Sequence, residues 1–474
     1  MIDVLIIGAG PTGLTLAVDL ARRGIRHRII DPGTPTGSRG KGLQPRTLEV
    51  FDDLGVIGAL LDTGGLYPPI RAYAGAEVVW EGRMAEPKDA SDAVPYPNGL
   101  MVPQWRTEQI LRDRLAELGG RVEKAELATF AQDADGVTAT LADGTIVHAA
   151  YLVGADGGRS TVRKTLGISF AGETRAEERA LIGDVRTADL DRDHWHTWAD
   201  LETRTARVGL CPLAGTDDFQ FTAPIPASEN PELTLATYQK MLEAGSGRTD
   251  IRLTDLTWSS IYRVNIRMAE RFRDGRVFLA GDAAHVHSPA GGQGLNTGVQ
   301  DAYNLGWKLA AVINGGPPAL LDTYEEERLP VAAGVLGIST KLHEKAARGQ
   351  ADAYQRGEEL QQLLLGYPDS SLSAGPLGGT RAPDAVLHDK SGIRHRLHDL
   401  LRGPHFTVLA FDTEFEHPDV RVVTIGERGD YTGTEVQATY AAGLALIRPD
   451  GYIACTGDAP EIRTHLARLG AAAA

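Results

Sequence analysis

The chain has 474 residues, 42% hydrophobic, 23% charged and 6% aromatic. That length fits two or three domains, and the composition is not that of a disordered, collagenous or membrane-embedded chain. The formal net charge of −15 argues against a surface that tracks nucleic-acid phosphates, though a local basic pocket for one anionic cofactor stays open. Cys211 and Cys455 are too few for a disulfide framework or a four-thiolate metal site, and free thiols fit a cytoplasmic setting.

Val4–Ile7 is a short apolar run, the pattern of a strand buried on both faces. It lacks the basic flank of a signal peptide, and no run approaches the ~20 apolar residues of a membrane span. Gly8-Ala9-Gly10-Pro11-Thr12-Gly13 follows, then Leu14, Leu16, Ala17, Leu20 and Ala21 at helical spacing, with Gly24 as the stop. Arg28–Asp31 reads as a second strand ending in an acid, so the segment predicts one βαβ unit. Thr47–Leu54 and Thr107–Leu118 read as amphipathic helices. Val137–Leu141 and Thr145–Ala149 form a hairpin around Asp143-Gly144, and Tyr151–Val153 reads as a further buried strand. Residues 185–265 alternate apolar and polar positions without long helices, which predicts an antiparallel sheet. Val277–Ala280 is expected as a strand, Thr297–Ile313 as a helix, and Val331–Leu365 as mostly helical. The Gly-, Pro- and Ser-rich stretch 366–384 reads as a linker. Beyond it, strands at Phe406–Phe411, Val420–Ile425 and Leu444–Ile447 and a helix at Pro460–Leu469 predict a small α/β appendage.

Three glycine-rich motifs carry chemistry. In the first, Gly8 permits a tight turn, Gly10 lets the backbone approach a pyrophosphate, and Gly13 lets helix and strand pack closely. The helix N-terminus then offers free N–H groups to phosphate, and Asp31, eighteen residues after Gly13, suits ribose hydroxyls. The second, Gly154-Ala155-Asp156-Gly157-Gly158-Arg159-Ser160, also reads as a capped strand-to-helix turn. The third runs Gly281-Asp282-Ala283-Ala284-His285 and then Pro289-Ala290-Gly291-Gly292-Gln293-Gly294-Leu295-Asn296. Asp282 suits a ribityl hydroxyl, and the glycines leave room for a planar ring at a helix N-terminus. His285 is expected to hold the turn after Asp282. His194, Trp195, His196 and Trp198 form an aromatic and imidazole cluster in the presumed substrate sheet. Asp412, Glu414 and Glu416 read as a solvated face.

In order and spacing these motifs resemble the flavoprotein aromatic hydroxylases of the p-hydroxybenzoate hydroxylase type, above all the actinomycete aromatic polyketide hydroxylases and rifampicin monooxygenases. The resemblance covers essentially the whole chain. It implies an α/β protein: a Rossmann-like FAD domain (1–67, 106–175 and 265–365), an inserted, mostly antiparallel β-sheet substrate domain (68–105 and 176–264), the 366–384 linker, and a C-terminal thioredoxin-like domain (385–474). That last domain lacks a Cys-X-X-Cys pair, so it is expected to have no redox chemistry.

Carried over by residue, the resemblance assigns Gly8, Gly10, Pro11, Thr12 and Gly13 to the pyrophosphate and Asp31 to the ribose. It assigns Arg39, Arg46 and Gln104 to FAD contacts, the Leu127 backbone to the adenine, and Asp156 and Gly157 to an Asp-Gly motif. Gly281 and Asp282 go to the ribityl chain, and Pro289, Gly292, Gln293, Gly294, Leu295 and Asn296 to the isoalloxazine. Asp31 stands where glutamate is usual, and Gln44 where histidine is common. The implied reaction uses non-covalent FAD, NADPH or NADH, and dioxygen to hydroxylate a phenolic, multi-ring substrate through a flavin C4a-hydroperoxide. Baeyer–Villiger insertion and a non-catalytic shielding flavoprotein are the alternatives. No catalytic base stands out; Arg46, Pro289 and His287 are the candidate catalytic residues. The expected partner is a small aromatic molecule, with no nucleic acid and no membrane, on a monomer or homodimer.

Overall fold

The N-terminal apolar run, Ile2–Ile7, lies at the centre of a sheet because neighbours on both sides bury it. It pairs in parallel with His27–Asp31 and with Ile146–Gly154, which pairs in parallel with Val277–Leu279. The protein is represented by a computed structural model that describes all residues except 34–36, 201–205, 289, 349–354, 441–442 and 471–474. The expected βαβ unit is present, with the helix Pro11–Arg22 between the first two strands. One expectation needs correction: Tyr151–Val153 is the inner half of Ile146–Gly154 rather than a separate strand. The outer half alternates exposed and buried residues in a hairpin, and the inner half enters the parallel core, so one strand carries two patterns.

A second sheet of eight strands begins with His285–Val286 at one edge and ends with Glu77–Gly82 at the other. Its pairings are antiparallel apart from Trp195–Ala199 against Ile70–Ala74. Phe219, Phe221, Ala223 and Ile225 alternate onto one face and pack with Tyr238 and Leu242. Those two residues belong to the helix Leu235–Ser246, which the alternation over 185–265 did not predict. It was hidden because its apolar residues are few and it covers a sheet already rich in alternating ones. Gln220 and Thr222 therefore point to the opposite face, toward the first sheet.

The helix Gly294–Ile313 is buried along nearly its whole length and starts three residues earlier than expected. The next helix, Asp322–Ala347, begins before Val331 and runs through Pro330. A proline inside a helix costs about 3 kcal/mol. Burial of Tyr324, Val331, Ala332 and Val335 offsets it, at ~1.5–3 kcal/mol for a large apolar side chain. The rest of the stretch expected as helical contains one short helical turn, Glu358–Gln361, among its described residues.

The C-terminal sheet pairs Thr407–Phe411 in parallel with Arg421–Ile425 and antiparallel with Gly443–Ile447, which pairs antiparallel with Ile453–Gly457. With the helix Ala459–Leu469 this is a thioredoxin-like arrangement. Cys455 is a buried free thiol within it, and Asp412, Glu414 and Glu416 are exposed as expected. Trp307 of the helix Gly294–Ile313 packs edge-on against Phe406, with ring centroids 5.6 Å apart. A sealed ionic cluster lies beside it. Arg448 donates to Glu327 at 2.6 and 3.0 Å and to Asp450 at 2.6 Å, and Lys308 reaches Glu327 at 2.7 Å. Ala374 and Arg381, in the 366–384 stretch, bridge to Cys455 and Tyr452. No helix among the described residues is long and apolar enough to cross a membrane.

Candidate active site

The first glycine loop is shaped by its own backbone. Gly8 has φ +102°, and a methyl group there would collide with the Ala155 carbonyl. A methyl group on Gly13 would strike the Gly8 carbonyl. A methyl group on Gly10 would meet nothing within 4 Å, so this position faces open space at the start of an uncapped helix. Asp31 closes the loop, accepting from the Ala9 N–H and the Gly33 N–H, each at 2.8 Å.

The helix Gln104–Glu117 adds a row of groups on this side. Gln104 accepts from the Gly40 N–H at 2.9 Å and donates to Glu108 at 2.8 Å, and Arg112 donates to the Ala9 carbonyl at 3.2 Å. Glu108 is buried, and its second oxygen has no partner. Burial pushes its carboxyl up to about 7, against the opposing pull of Gln104 and Arg112. Neither Glu108 nor Arg112 was anticipated. Their spacing of four from Gln104 places all three on one helix face, and that is the signal that could have found them.

In the second motif Asp156 does cap the turn: one oxygen accepts from the Thr161 and Val162 N–H groups at 2.7 and 3.2 Å. Its other oxygen is buried without a partner. Gly157, at φ +76°, opens onto free space. Leu127 is buried at the start of Leu127–Gln132.

The third motif is held by side chains. Gly281 and Gly298 both lie against the Thr12 hydroxyl, which ties this motif to the first loop. Asp301 accepts from the Gly281 N–H at 3.0 Å, from His285 Nε2 at 2.6 Å and from Arg328 Nε at 2.7 Å. Burial alone would raise the Asp301 carboxyl, but Arg328 and His285 hold it well below the ordinary range. His285 Nδ1 lies 3.0 Å from His287 Nε2. Asn296 accepts from the Gln44 N–H at 2.8 Å and donates to the Gly42 and Gly292 carbonyls at 2.9 and 2.8 Å. Gln293 donates to the Gly291 and Leu360 carbonyls and accepts from Gln362. The Gln293 and Asn296 side chains thus brace the loop, while Gly291 and Gly292 turn it with φ of +89° and +61°. Leu295 lies beside Gly40. Asp282 is reached by solvent although protein surrounds it on most sides, as expected of a group lining an open cleft. That surround raises its carboxyl above the ordinary range, opposed by His285 and Arg39. Pro289 lies outside the described residues.

The free face of the second sheet closes the cleft. Arg39 is exposed over Trp258 and reaches Ser260 at 3.4 Å. Ser38 donates to Asp184 from both its N–H and its hydroxyl, and Gln220 donates to Ser38. Lys41 Nζ donates to Gln220 at 2.6 Å and sits 4.4 Å from the Trp195 ring centroid. Burial pushes the Asp184 carboxyl up to about 6. Trp195 therefore faces the cleft side, whereas Trp198 is buried with Tyr73 on the other face, and His196 hydrogen-bonds the Tyr73 hydroxyl at 2.8 Å. A recess of about 430 Å³ opens beside Met101 and Pro212, with Leu66, Leu213 and Arg192 in its wall.

Arg46 requires a correction. It was expected among the FAD contacts. It is buried, donating to Glu49 at 2.8 Å and to the Asp450 carbonyl at 2.7 Å, with its guanidinium 4.9 Å from the Tyr452 ring centroid. Glu49 also binds Arg381, and these cations hold its carboxyl down at about 2 against the effect of burial. Arg46 is the second residue of the helix Pro45–Asp53, and these contacts commit its side chain to the domain junction.

The remaining shape suits an FAD-like group. Gly10 and Gly157 leave space that a side chain would fill, and Glu108 and Asp156 each hold a buried carboxylate oxygen in need of a donor. Residues 1–339 match the family of FAD binding domains, and residues 375–473 match the C-terminal domain of aromatic-ring hydroxylases. The chain is 50% identical to a flavin-dependent monooxygenase of Mycobacteroides abscessus, over 98% of this chain and 99% of the relative. It is 35% identical to a rifampicin monooxygenase of Streptomyces venezuelae, covering 100% of both. Among solved structures, a ternary complex of aklavinone-11 hydroxylase with FAD and aklavinone matches with TM-score 0.80 at 27% identity, over 99% of this chain and 98% of that one.

Proposed function

The chain belongs to the FAD-binding aromatic-ring hydroxylases, and on that premise we propose that this flavin-dependent monooxygenase hydroxylates phenolic, multi-ring polyketide-type molecules. NADPH or NADH would serve as reductant and dioxygen as oxidant. The observation that carries this reading is the junction of three glycine motifs with a sheet face bearing Trp195 and Gln220, onto which Lys41 reaches from the segment before Gly42. Names of relatives support the substrate class: rifampicin and aklavinone are what two of them act on or bind.

Bound FAD supplies electron transfer and oxygen activation, chemistry that no side chain provides. The chain's own groups do the rest. Gly8, Gly10, Pro11, Thr12 and Gly13 present backbone to the pyrophosphate at a helix N-terminus. Asp31 and Glu108 would accept from ribose hydroxyls, and Asp156 and Asp282 from the remaining hydroxyl and ring donors. Leu127 would lie near the adenine, and Arg39 beside Asp282. Gln104 holds Gly40 and Glu108 in place rather than reaching far itself. Gly291 and Gly292 leave room for the ring, and the N-terminus of the helix Gly294–Ile313 favours negative charge there. The sheet face shields the reacting centre from water.

The test is a screen of multi-ring phenols for substrate-stimulated oxidation of NADPH and NADH, with product structures by NMR. A ring-hydroxylated product formed in step with reductant consumption supports the proposal. A ring-expanded ester would assign Baeyer–Villiger insertion instead, and binding without coupled turnover would assign a shielding role.

A further inference from the structure

Lys41 links the two walls of the cleft. Its backbone belongs to the wall beside the third glycine motif: Gly40 abuts Leu295, and the Gly42 carbonyl accepts from Asn296 Nδ2 at 2.9 Å. Its ammonium stands at the sheet wall, 2.6 Å from Gln220 Oε1 and 4.4 Å from the Trp195 ring centroid.

What touches that charge is neutral. The Gln220 amide has its orientation fixed, because Nε2 donates to the Ser38 carbonyl and, at 3.1 Å, to the Ser38 hydroxyl, which leaves Oε1 for Lys41. Trp195 offers a ring face. Cys211 lies beside the ammonium, and burial raises its thiol against the pull of Lys41, which keeps the thiol protonated. Asp184 shares the network, but both its oxygens accept from Ser38, and Ser38 and Gln220 stand between it and Lys41. Among the described residues no carboxylate forms an ion pair with Lys41. Arg39, two residues earlier, differs in that its charge acts on the Asp282 carboxylate. An ammonium carries three N–H donors, and Gln220 takes one. A half-buried cation with donors to spare and no carboxylate partner is complementary to an anionic oxygen. Next to it the wall turns apolar: Met101 pairs with Gly42, lies 3.9 Å from Cys211 Sγ and borders the recess of about 430 Å³.

We propose that Lys41 is a specificity-determining residue that selects ionised phenols: its ammonium donates to the phenolate oxygen of the substrate, whose rings lie along the apolar wall at Met101. This deepens the function proposed above and rests on a phenol occupying the cleft. The proton lost by the phenol goes to water, and Lys41 keeps its own. An ionised oxygen raises electron density on the ring carbons ortho and para to it, the positions that an electrophilic oxygen attacks. Phenols and enols are thereby favoured over the corresponding ethers.

The probe is alizarin, a three-ring dihydroxyanthraquinone whose anion absorbs at longer wavelength than its neutral form. It is titrated into the FAD-loaded protein across a range of pH and followed by difference spectra, with its dimethyl ether, which cannot ionise, as a comparison. Wild type should bind the anion about tenfold more tightly than the neutral form or the ether, as for one charge-assisted hydrogen bond, so that the bound probe ionises at about tenfold higher acidity than the free one. Lys41→Met, similar in length but uncharged, should lose that preference while binding the neutral form as before, and Lys41→Arg should retain it. A purely structural role for Lys41 would change the affinity for both forms together. Bound alizarin that titrates as it does in water, an undiminished preference in Lys41→Met, or no binding of alizarin to wild type overturns the proposal. Thermal melts and flavin content report folding. Should Lys41→Met not fold, the wild-type comparison of anion with ether decides, and equal affinities overturn the proposal. Turnover is scored separately. Phenols that are hydroxylated by a wild type showing no anion preference sink the Lys41 assignment alone, whereas an anion preference with no phenol-stimulated oxidation of NADPH or NADH sinks the hydroxylase reading and leaves the binding site standing.

Discussion

The two glycine loops that frame the cleft are built on opposite principles. The loop at residues 8–13 is set by backbone packed on backbone: Gly13 against the Gly8 carbonyl, and Gly8 against Ala155. The loop at residues 281–296 is set by side chains arriving from elsewhere. Asp301, itself held by Arg328, fixes its start, the Gln44 and Gln362 side chains its middle, and Asn296, from within the loop, its end. A backbone-packed turn holds one shape. A turn hung on distant side chains has a shape that the rest of the molecule can tune, which suits the place where a ring must be positioned.

The sharpest way to break this comparison is Asp301→Asn. It removes the charge shared by Arg328 and His285 and should cost about 3–5 kcal/mol, measured by chemical denaturation. A loss below about 1 kcal/mol would mean that the third motif supports itself. Gly13→Ala tests the other loop. Its methyl group meets backbone that cannot move aside, so a loss near 3 kcal/mol is expected in the flavin-free protein. Near-wild-type stability would show that this loop also relaxes.

Arg46→Ala comes next and tests whether the domain junction is separate from both loops. Loss of its charged hydrogen bonds to Glu49 and Asp450 should cost about 2 kcal/mol while the bound flavin's spectrum stays as in wild type. A shifted spectrum would return Arg46 to the flavin.

Glu108 provides a pH test of the first loop's surroundings. Its folded carboxyl, at about 7, keeps a proton that the unfolded chain releases near 4.5. Flavin-free protein should therefore lose stability as pH rises through that window, by up to about 3 kcal/mol. Glu108→Gln should flatten the curve, and an unchanged slope would place its origin elsewhere. The smallest stability effect belongs to Gly10→Ala. With open space around its methyl group, the flavin-free protein should change by less than about 0.5 kcal/mol. FAD affinity should nevertheless fall about tenfold, because that space is where the pyrophosphate would lie. Unchanged affinity on titration would move the pyrophosphate away from Gly10.

Much of the frame was legible because its causes are local. The run Val4–Ile7, the glycines after it and Asp31 lie close in sequence, and each has a steric or hydrogen-bonding reason to be where it is. The hairpin at Asp143-Gly144 and the C-terminal strands were readable for the same reason. The helix Leu235–Ser246 was not, since its weak pattern gains meaning only from the sheet it covers. Arg46 shows the limit at a site. Its position at a helix start near the cleft was apparent, but the partner that commits it, Asp450, lies 404 residues away.

What the sequence by itself determined is the class of the protein: three glycine motifs, in order, each carrying a backbone demand that few other residues satisfy. What only the tertiary structure decided is how charged and polar side chains pair. Glu108 and Asp156 retain unpartnered oxygens, His287 an unpartnered Nδ1, and Arg46 is committed to the C-terminal domain. The physical reason is range. A turn's geometry depends on the residues within it, whereas the pairing of a buried polar atom depends on what distant segments of the chain bring within about 3 Å.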